Sequence, residues 1–585
     1  MQTDVVTADQ VIGTLQSAGI SRGGLVAVTM VTGIGLGVAA GDSTQAVQCD
    51  EPGVLIAAIE QALRPRWVWW SNEVGSALLA TGTRVATCWD LAAVHRLLFG
   101  GWRTSPAQIW AALRDLDVAT VPASGQLDLL GHVGDDGGDP ADPVRTDGHL
   151  RPEWADGGWR RSPERIARWA ATALQAQRLQ EERIAGLRVG GDLAATARSE
   201  SAADLLCAEL TADGLPIDVD RAAQIIASFA GPRPRDAAHA REIRSERDAR
   251  VLELIPGHSL DLRSPAQVKA MLERIGIEVP DTRSWRLEVF RDAHPVIGAL
   301  LAWRKNERYA STFGYDWIET HVGPDRRLRG TWFGCDGGAG RMTVQAGLHS
   351  MPADLRPAVA AEPGQVLARA DLGQIEPRIL AAVSADPALA AAASEADLYA
   401  PVAQRLGVER SVAKVAVLAA MYGQTSGAAG EALKGLESAY PIAMRYLRTA
   451  YEAGRAGRSV RTHGGRLLTM WPTPAGPTEQ DERANVASRG RYARNAVIQG
   501  AAAEFFKAWA VTVRARGAPL GAQIVMCLHD ELLVQCPHDQ GAAVAALLTD
   551  CLTETAARWQ PWEPRRQVRF VADVSLINRW SEAKA

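Results

Sequence analysis

Apolar positions in roughly the first 130 residues gather into short runs separated by longer mixed ones. Residues 25–31 and 66–70 read as strands, and residues 89–98 as a helix, an alternation that indicates an α/β domain. Residues 134–158 are dense in Gly, Asp and Pro, which predicts a surface loop and not a packed element. Ser162, directly ahead of Pro163 and Glu164, is suited to cap a helix that runs towards Gly186. From about Ser199 to Thr320 the pattern is mostly helical, and the charged stretches 233–250 and 304–308 read as solvated helix faces. Beyond that, strands alternate with long alanine-rich helices, and no repeat of solenoid period stands out.

Length turns this pattern into a multidomain expectation, since 585 residues exceed one ordinary core and suggest about three to five folding units. Apolar residues make up 47% and charged residues 22%, the balance of a chain that folds throughout. A net charge of −4 and a pI near 6.3 do not announce a nucleic-acid binder, so any such contact must use local basic clusters. The seven cysteines are scattered, odd in number and without a C-x-x-C pair, which argues against a disulfide framework or a zinc site and fits a reducing cytoplasm. Met-Gln-Thr-Asp lacks the basic region of a secretory signal, and the longest weakly polar stretch, residues 25–40, is too short and too interrupted to span a membrane.

Candidate chemistry lies in the last 220 residues. Residues 366–371, Val-Leu-Ala-Arg-Ala-Asp, form an apolar strand that ends in Asp371 and leads through Gln374 and Glu376 into a helix. A carboxylate at a strand's carboxyl end faces the crevice where ligands gather in α/β folds, although an aspartate before a helix is more often a cap. Residues 524–534 are two apolar strands interrupted by His529-Asp530-Glu531, so a hairpin should display that polar triplet at its tip, to meet a metal and phosphate or simply solvent. Arg410, Lys414, Leu418 and Tyr422 recur every four residues on a helix that Gly423 can end. Cations at one end of that stripe suit a triphosphate, and the apolar and aromatic pair at the other suits a base. Arg491, Asn495 and Gln499 repeat the spacing with groups that can donate and accept along a groove or sugar–phosphate, an arrangement that is also common on a solvated face.

Asp371-Leu-Gly-Gln-Ile-Glu-Pro-Arg-Ile-Leu, Arg410-x3-Lys-x7-Tyr-Gly and His529-Asp-Glu resemble, in order and approximate spacing, motifs A, B and C of the family A DNA polymerases, the bacterial DNA polymerase I family. The resemblance takes in the Gly340-Arg341 pair, residues 491–499 and, more loosely, the helical text from about Ser199, nearly two thirds of the chain. It implies a right-hand polymerase of α+β type at 191–585, with a thumb near 195–330, a palm at 331–385 and 515–585, and fingers at 386–514. An exonuclease-like (RNase H-like) α/β domain would occupy 1–190.

The activity implied is template-directed transfer of dNMP from dNTP to a primer 3′-hydroxyl, with two Mg²⁺ ions held by Asp371 and Asp530. By the same resemblance Lys414 and Arg410 bind the triphosphate and Lys414 protonates the leaving pyrophosphate. Gln374 and Leu418 join the nucleotide site, Glu376 fills the space of a ribose 2′-hydroxyl, and Tyr422 packs near the templating base. His529 touches the primer terminus, Glu531 supports the metal site, and Arg341, Arg491, Asn495 and Gln499 lie along the duplex. Primer–template DNA and dNTPs are the expected partners of a monomeric, cytoplasmic, nucleoid-associated enzyme of DNA replication or repair. Leu418 where an aromatic residue is usual, Leu372-Gly373 for a common Tyr-Ser, and the altered text before Pro352 bear on fidelity and not on the metal chemistry.

The family's 3′–5′ exonuclease needs about four carboxylates on three motifs. Here the first strand reads Ala27-Val-Thr-Met-Val where Asp-x-Glu is expected. The region around Glu73 lacks its Asp, and Trp169-Ala-Ala-Thr-Ala stands for Tyr-x3-Asp. Asp90 alone survives nearby, so the domain is expected to be a degenerate scaffold, and no segment matches the family's 5′-nuclease. The rival readings are a single-subunit RNA polymerase, which Glu376 argues against, and a catalytically dead clamp, which the retained aspartates and Lys414 argue against. A third is an exonuclease that still works.

Overall fold

The computed structural model describes residues 7–101, 104–122, 138–256, 260–423, 429–472, 478–560 and 568–583, which fall into two compact units. The first comprises residues 1–213, 331–343 and 364–576, and the second residues 214–330, 344–363 and 577–585.

The first unit begins with a five-stranded sheet made by β1 (Leu25–Val31), β2 (Gly35–Ala40), β3 (Ser43–Gln48), β4 (Arg66–Trp69) and β5 (Thr87–Asp90), in the order β3-β2-β1-β4-β5. β1, β4 and β5 run parallel, whereas β2 and β3 return antiparallel on the other side of β1. Trp89 therefore lies in a strand and not in the helix expected at 89–98. That helix, α1 (Leu91–Phe99), begins two residues later, because the Asp90 carboxylate accepts from the Ala93 amide and caps it. α2 (Pro163–Gly186) starts where the sequence indicates, with Ser162 accepting from the Arg165 amide. It lies close on the sheet: a Cβ added at Gly37 would stand 2.5 Å from the Ala167 Cα. Segment 134–158 is described from residue 138 onwards, and it is not merely surface, since Leu150 and Trp154 are buried in the core beside Trp169.

α3 (Leu193–Asp213) is buried on several faces and carries polar groups into the interior. Ser201 Oγ accepts from the Asp90 amide at 3.0 Å, and Asp204 pairs with Arg96. Glu200 pairs with Arg466 and Lys507 at 2.5 and 2.7 Å, and Glu209 with Arg514. Each of these four cations thus has a carboxylate, a condition under which such groups are tolerated in an interior.

A second sheet of four strands follows: β6 (Gln365–Gly373), β7 (Gln523–Leu528), β8 (Glu531–Pro537) and β9 (Val571–Ile577), in the order β7-β8-β6-β9. β6 and β7 both pair antiparallel with β8. Three further helices matter for the site: α4 (Ile375–Ser384), α5 (Arg410–Tyr422) and α6 (Glu479–Gly517). α6 has 39 residues, a rod of about 58 Å at 1.5 Å per residue.

The second unit is mainly helical and has its own core, including Val251, Leu262, Met271, Leu300 and Trp303. The arginines of segment 233–250 are not all solvated. Arg247 is nearly buried and donates twice to Glu307 Oε2, while Arg263 reaches both Glu307 and Asp248. Glu307 is the shared counter-ion of two guanidinium groups, so Glu307→Ala is expected to destabilise this unit by about 2–3 kcal/mol. Urea unfolding followed by Trp303 fluorescence checks it; an unchanged midpoint would mean that solvent replaces the carboxylate.

All seven cysteines are free. Among the described residues no helix is long and apolar enough to cross a membrane.

Candidate active site

β6 places Arg369 and Asp371 on one face, since alternate residues of a strand point the same way. Asp371 lies directly opposite Glu531 of β8, and the Leu372 amide donates to the Asp530 carbonyl at 3.0 Å. The β7–β8 hairpin closes through a two-residue turn, His529-Asp530, with Leu528 paired to Glu531 and His529 in the left-handed region at φ 55°. The polar triplet is therefore not all at the tip: Glu531 is the first residue of β8 and is buried. Asp371 is no helix cap either. β6 continues to Gly373, and Gln374, at φ 58°, turns the chain into α4.

Like charges and partial burial govern the electrostatics. Burial, with Asp530 next in importance, pushes the Asp371 carboxyl up to about 6, against the opposing pull of Arg369. Asp530 is raised chiefly by burial, with Glu531 and Glu376 adding to it. Arg369, itself nearly buried, donates Nε to Glu531 Oε1 at 2.8 Å and Nη2 to Asp371 Oδ2 at 2.5 Å, and its Nη1 stands 3.6 Å from Asp573.

A second cluster adjoins it. Glu376, on the first turn of α4, accepts from Arg341 at 2.8 Å and from the Tyr422 hydroxyl at 3.0 Å, and Tyr422 also meets Gln499 of α6. A narrow cleft is lined by Arg341, Met342, His529 and Asp530. A third set is a relay in which Gln374 and Arg410 both donate to Asp397.

α5 buries Ala413, Ala416, Val417, Ala420 and Met421 and turns the Arg410, Lys414, Leu418 and Tyr422 stripe outwards, with Leu418 half-buried. It ends at Gly423, φ 69°. Lys414 is exposed and makes no ion pair or hydrogen bond among the described residues, in contrast to Arg410. α6 holds α5 from below through Arg494, whose Nε donates to the Ala420 carbonyl. Arg491 lies along Gly423, and the Asn495 Oδ1 is buried without a hydrogen-bond partner among the described residues.

A sequence profile of DNA polymerase family A matches residues 237–582. The chain belongs to DNA polymerase family A. DNA polymerase I of Deinococcus radiodurans is 29% identical over 330 residues, 52% of this chain and 33% of that protein. DNA polymerase I of Chloroflexus aurantiacus is 30% identical over 301 residues, 46% of this chain and 31% of that one. The aligned segments thus span about a third of the length of these relatives. The structure of the POL domain of Pol1 from M. smegmatis, in complex with DNA primer-template and dNTP, superposes with a TM-score of 0.68 at 20% identity, covering 99% of each chain. The family A fold, mixed α/β with a helical majority and an N-terminal sheet domain, therefore extends over the whole chain.

Two acidic groups and one basic group of this family A site escaped the reading of the sequence. Asp397 and Asp573 carry no local signal, because each meets its partner only through tertiary structure. Arg369 did carry one: a lone charge inside an apolar strand, two residues from Asp371 and hence on its face.

At the exonuclease-like end the expected carboxylates are replaced by uncharged residues in Ala27–Val31 and by Ala173, and an indole, Trp169, stands in the place of the tyrosine. Trp169 stacks on Trp70 at 4.8 Å, and both line a cleft of about 670 Å³ with Thr29, Glu73 and Trp159. Asp90 is fully buried away from solvent, accepts from the Trp69 indole at 2.9 Å, and is raised to about 7 by burial and by Asp204.

Proposed function

We propose that the chain is a DNA-directed DNA polymerase that extends a primer with dNTPs and no longer proofreads. The observation that supports this most strongly is the junction of β6 with the β7–β8 hairpin, where Asp371 on β6 stands beside the turn residue Asp530, whose main-chain carbonyl accepts from the Leu372 amide.

The donor set fits Mg²⁺. Among the described residues no group of three or more His, Cys, Asp or Glu forms a closed cage, and Mg²⁺ bound through one or two carboxylates plus substrate phosphates does not need one. Asp530 disfavours the ionisation of Asp371, and Glu531 and Glu376 that of Asp530, so a divalent cation held by the two aspartates would relieve a repulsion already present. Two such ions, when bound, activate the primer hydroxyl and neutralise the leaving pyrophosphate.

The protein's own part is positioning. Lys414 offers an unengaged ammonium for the triphosphate and a proton for pyrophosphate. Arg410 reaches the same phosphates by leaving or sharing Asp397. Glu376, fixed by Arg341 and Tyr422, is a carboxylate wall where a ribose 2′-hydroxyl would sit, which favours deoxynucleotides. His529 at the hairpin tip serves the primer end, while Arg341, Arg491, Asn495 and Gln499 line the duplex. In this assignment residues 195–330 act as thumb, 331–385 and 515–585 as palm, and 386–514 as fingers. Residues 1–190 act as a degenerate nuclease domain: among the described residues its indole-lined cleft shows no group of three or more metal-binding side chains of the kind that two-metal hydrolysis requires.

A primer-extension assay with Mg²⁺ tests the whole reading. Expected are template-directed addition of dNTPs, strong preference over rNTPs, and no Mg²⁺-dependent shortening of a mismatched 3′ end. Binding without extension would revive the clamp, rNTP preference the RNA polymerase, and shortening that survives in an Asp371→Ala variant the exonuclease.

A further inference from the structure

Among the described residues Arg341 acts electrostatically on Asp530, and Arg369 is the basic group that ion-pairs with Asp371. Its strand lies between β8 and β9 in the sheet, so the guanidinium sits amid Asp371 on its own strand, Glu531 on one side and Asp573 on the other. The contacts are unequal. Glu531 is buried and takes Nε; Asp371 is partly exposed and gives only Oδ2; Asp573 is largely exposed and at longer range. A planar fork so placed fixes the Asp371 side chain in one orientation and leaves its other oxygen uncommitted. It also occupies Glu531, the remaining carboxylate that a cation could recruit from this face.

We propose that Arg369 is a built-in counter-cation of the metal site, which keeps the Asp371–Asp530 pair weak for divalent ions until a triphosphate contributes oxygens of its own. The inference rests on the assignment of Asp371 and Asp530 as metal ligands and adds a positioning residue to it. Two effects of removing the guanidinium compete. Losing the fork loosens Asp371, which weakens binding; losing a positive charge at contact distance from a ligand of a doubly charged ion strengthens it. At such short range the second effect is larger, because each unit of charge acts on both charges of the ion. Metal affinity is therefore expected to rise when Arg369 is removed.

The test is Mn²⁺ binding to the full chain without DNA or nucleotide, read from the loss of the free-ion signal in electron paramagnetic resonance. Because Arg369→Met alone strands a buried carboxylate, the decisive comparison is Glu531→Gln against Arg369→Met/Glu531→Gln. The double variant is expected to bind Mn²⁺ about tenfold more tightly than the single one. Arg369→Lys, which keeps the charge but loses the fork, is expected to bind Mn²⁺ no more tightly than wild type. Equal or weaker binding by the double variant overturns the proposal and leaves Arg369 a structural strut. Asp371→Asn separates the two levels: if it does not weaken Mn²⁺ binding, the metal assignment itself fails. If it does while the double variant is unchanged, only the role of Arg369 fails.

Discussion

Asp530→Asn is expected to slow primer extension by at least ~10³-fold, the loss of roughly 4 kcal/mol of transition-state stabilisation. The substitution keeps the shape of the side chain, and the one bond that ties residue 530 to β6 is made by its main-chain carbonyl, accepting from Leu372. Circular dichroism should therefore be unchanged. Stability should even rise in the metal-free protein at neutral pH. Both Asp371 and Asp530 are held above their ordinary carboxyl range, so the folded state binds more protons than the unfolded one, and stability falls as pH rises from about 4 through about 6. Removing one carboxylate relieves that cost, and the gain in melting temperature should be present above pH 6 and vanish below about 4. Retained extension, or a melting temperature lowered at pH 8, would mean that these aspartates serve the fold and not the reaction.

Lys414→Ala has the second largest expected effect, a fall in kcat of about 10²–10³-fold, the usual range for loss of a general acid. The side chain is exposed and unengaged among the described residues, so its truncation should leave the melting temperature within about 1 °C of wild type. Its neighbour on the stripe, Arg410, cannot take over as the acid, because a guanidinium does not give up its proton at neutral pH. Pyrophosphorolysis, the reverse reaction, should fall in parallel, because the same group must then accept the proton. Single-turnover extension at saturating dNTP checks the assignment. A rise in KM alone, with kcat intact, would reduce Lys414 to a phosphate anchor.

The fold, and where the candidate site residues fall in it, could be read from residues alone where local chemistry and tertiary position agree. Asp371 was legible because a carboxylate ends a strand that is apolar but for Arg369; the α5 stripe was legible because its fourfold spacing ends at a glycine that takes φ 69°. Glu531 was misplaced for a physical reason: the triplet does not reveal that the hairpin closes in two residues, with His529 left-handed, which draws the third polar group into the strand. Trp89 was assigned to a helix because β5 has only four residues, too few to establish an alternating pattern. Trp154 was passed over because the turn-rich text around it hides a ring wholly inside the core. Asp397, the partner of Gln374 and Arg410, is invisible to any periodicity, since the chain folds back before the three meet.

The buried ionic seam along α3 bears on the sheet domain at the front of the chain. Asp204 answers Arg96, and Glu200 and Glu209 answer Lys507 and Arg514, while the Arg514 guanidinium also caps carbonyls at Val85 and Ala86. Cutting away the first 190 residues would leave Glu200 and Glu209 of α3 against α6, but it would strip Asp204 of Arg96 and Arg514 of its carbonyls at Val85 and Ala86, so the front domain buttresses that seam from outside.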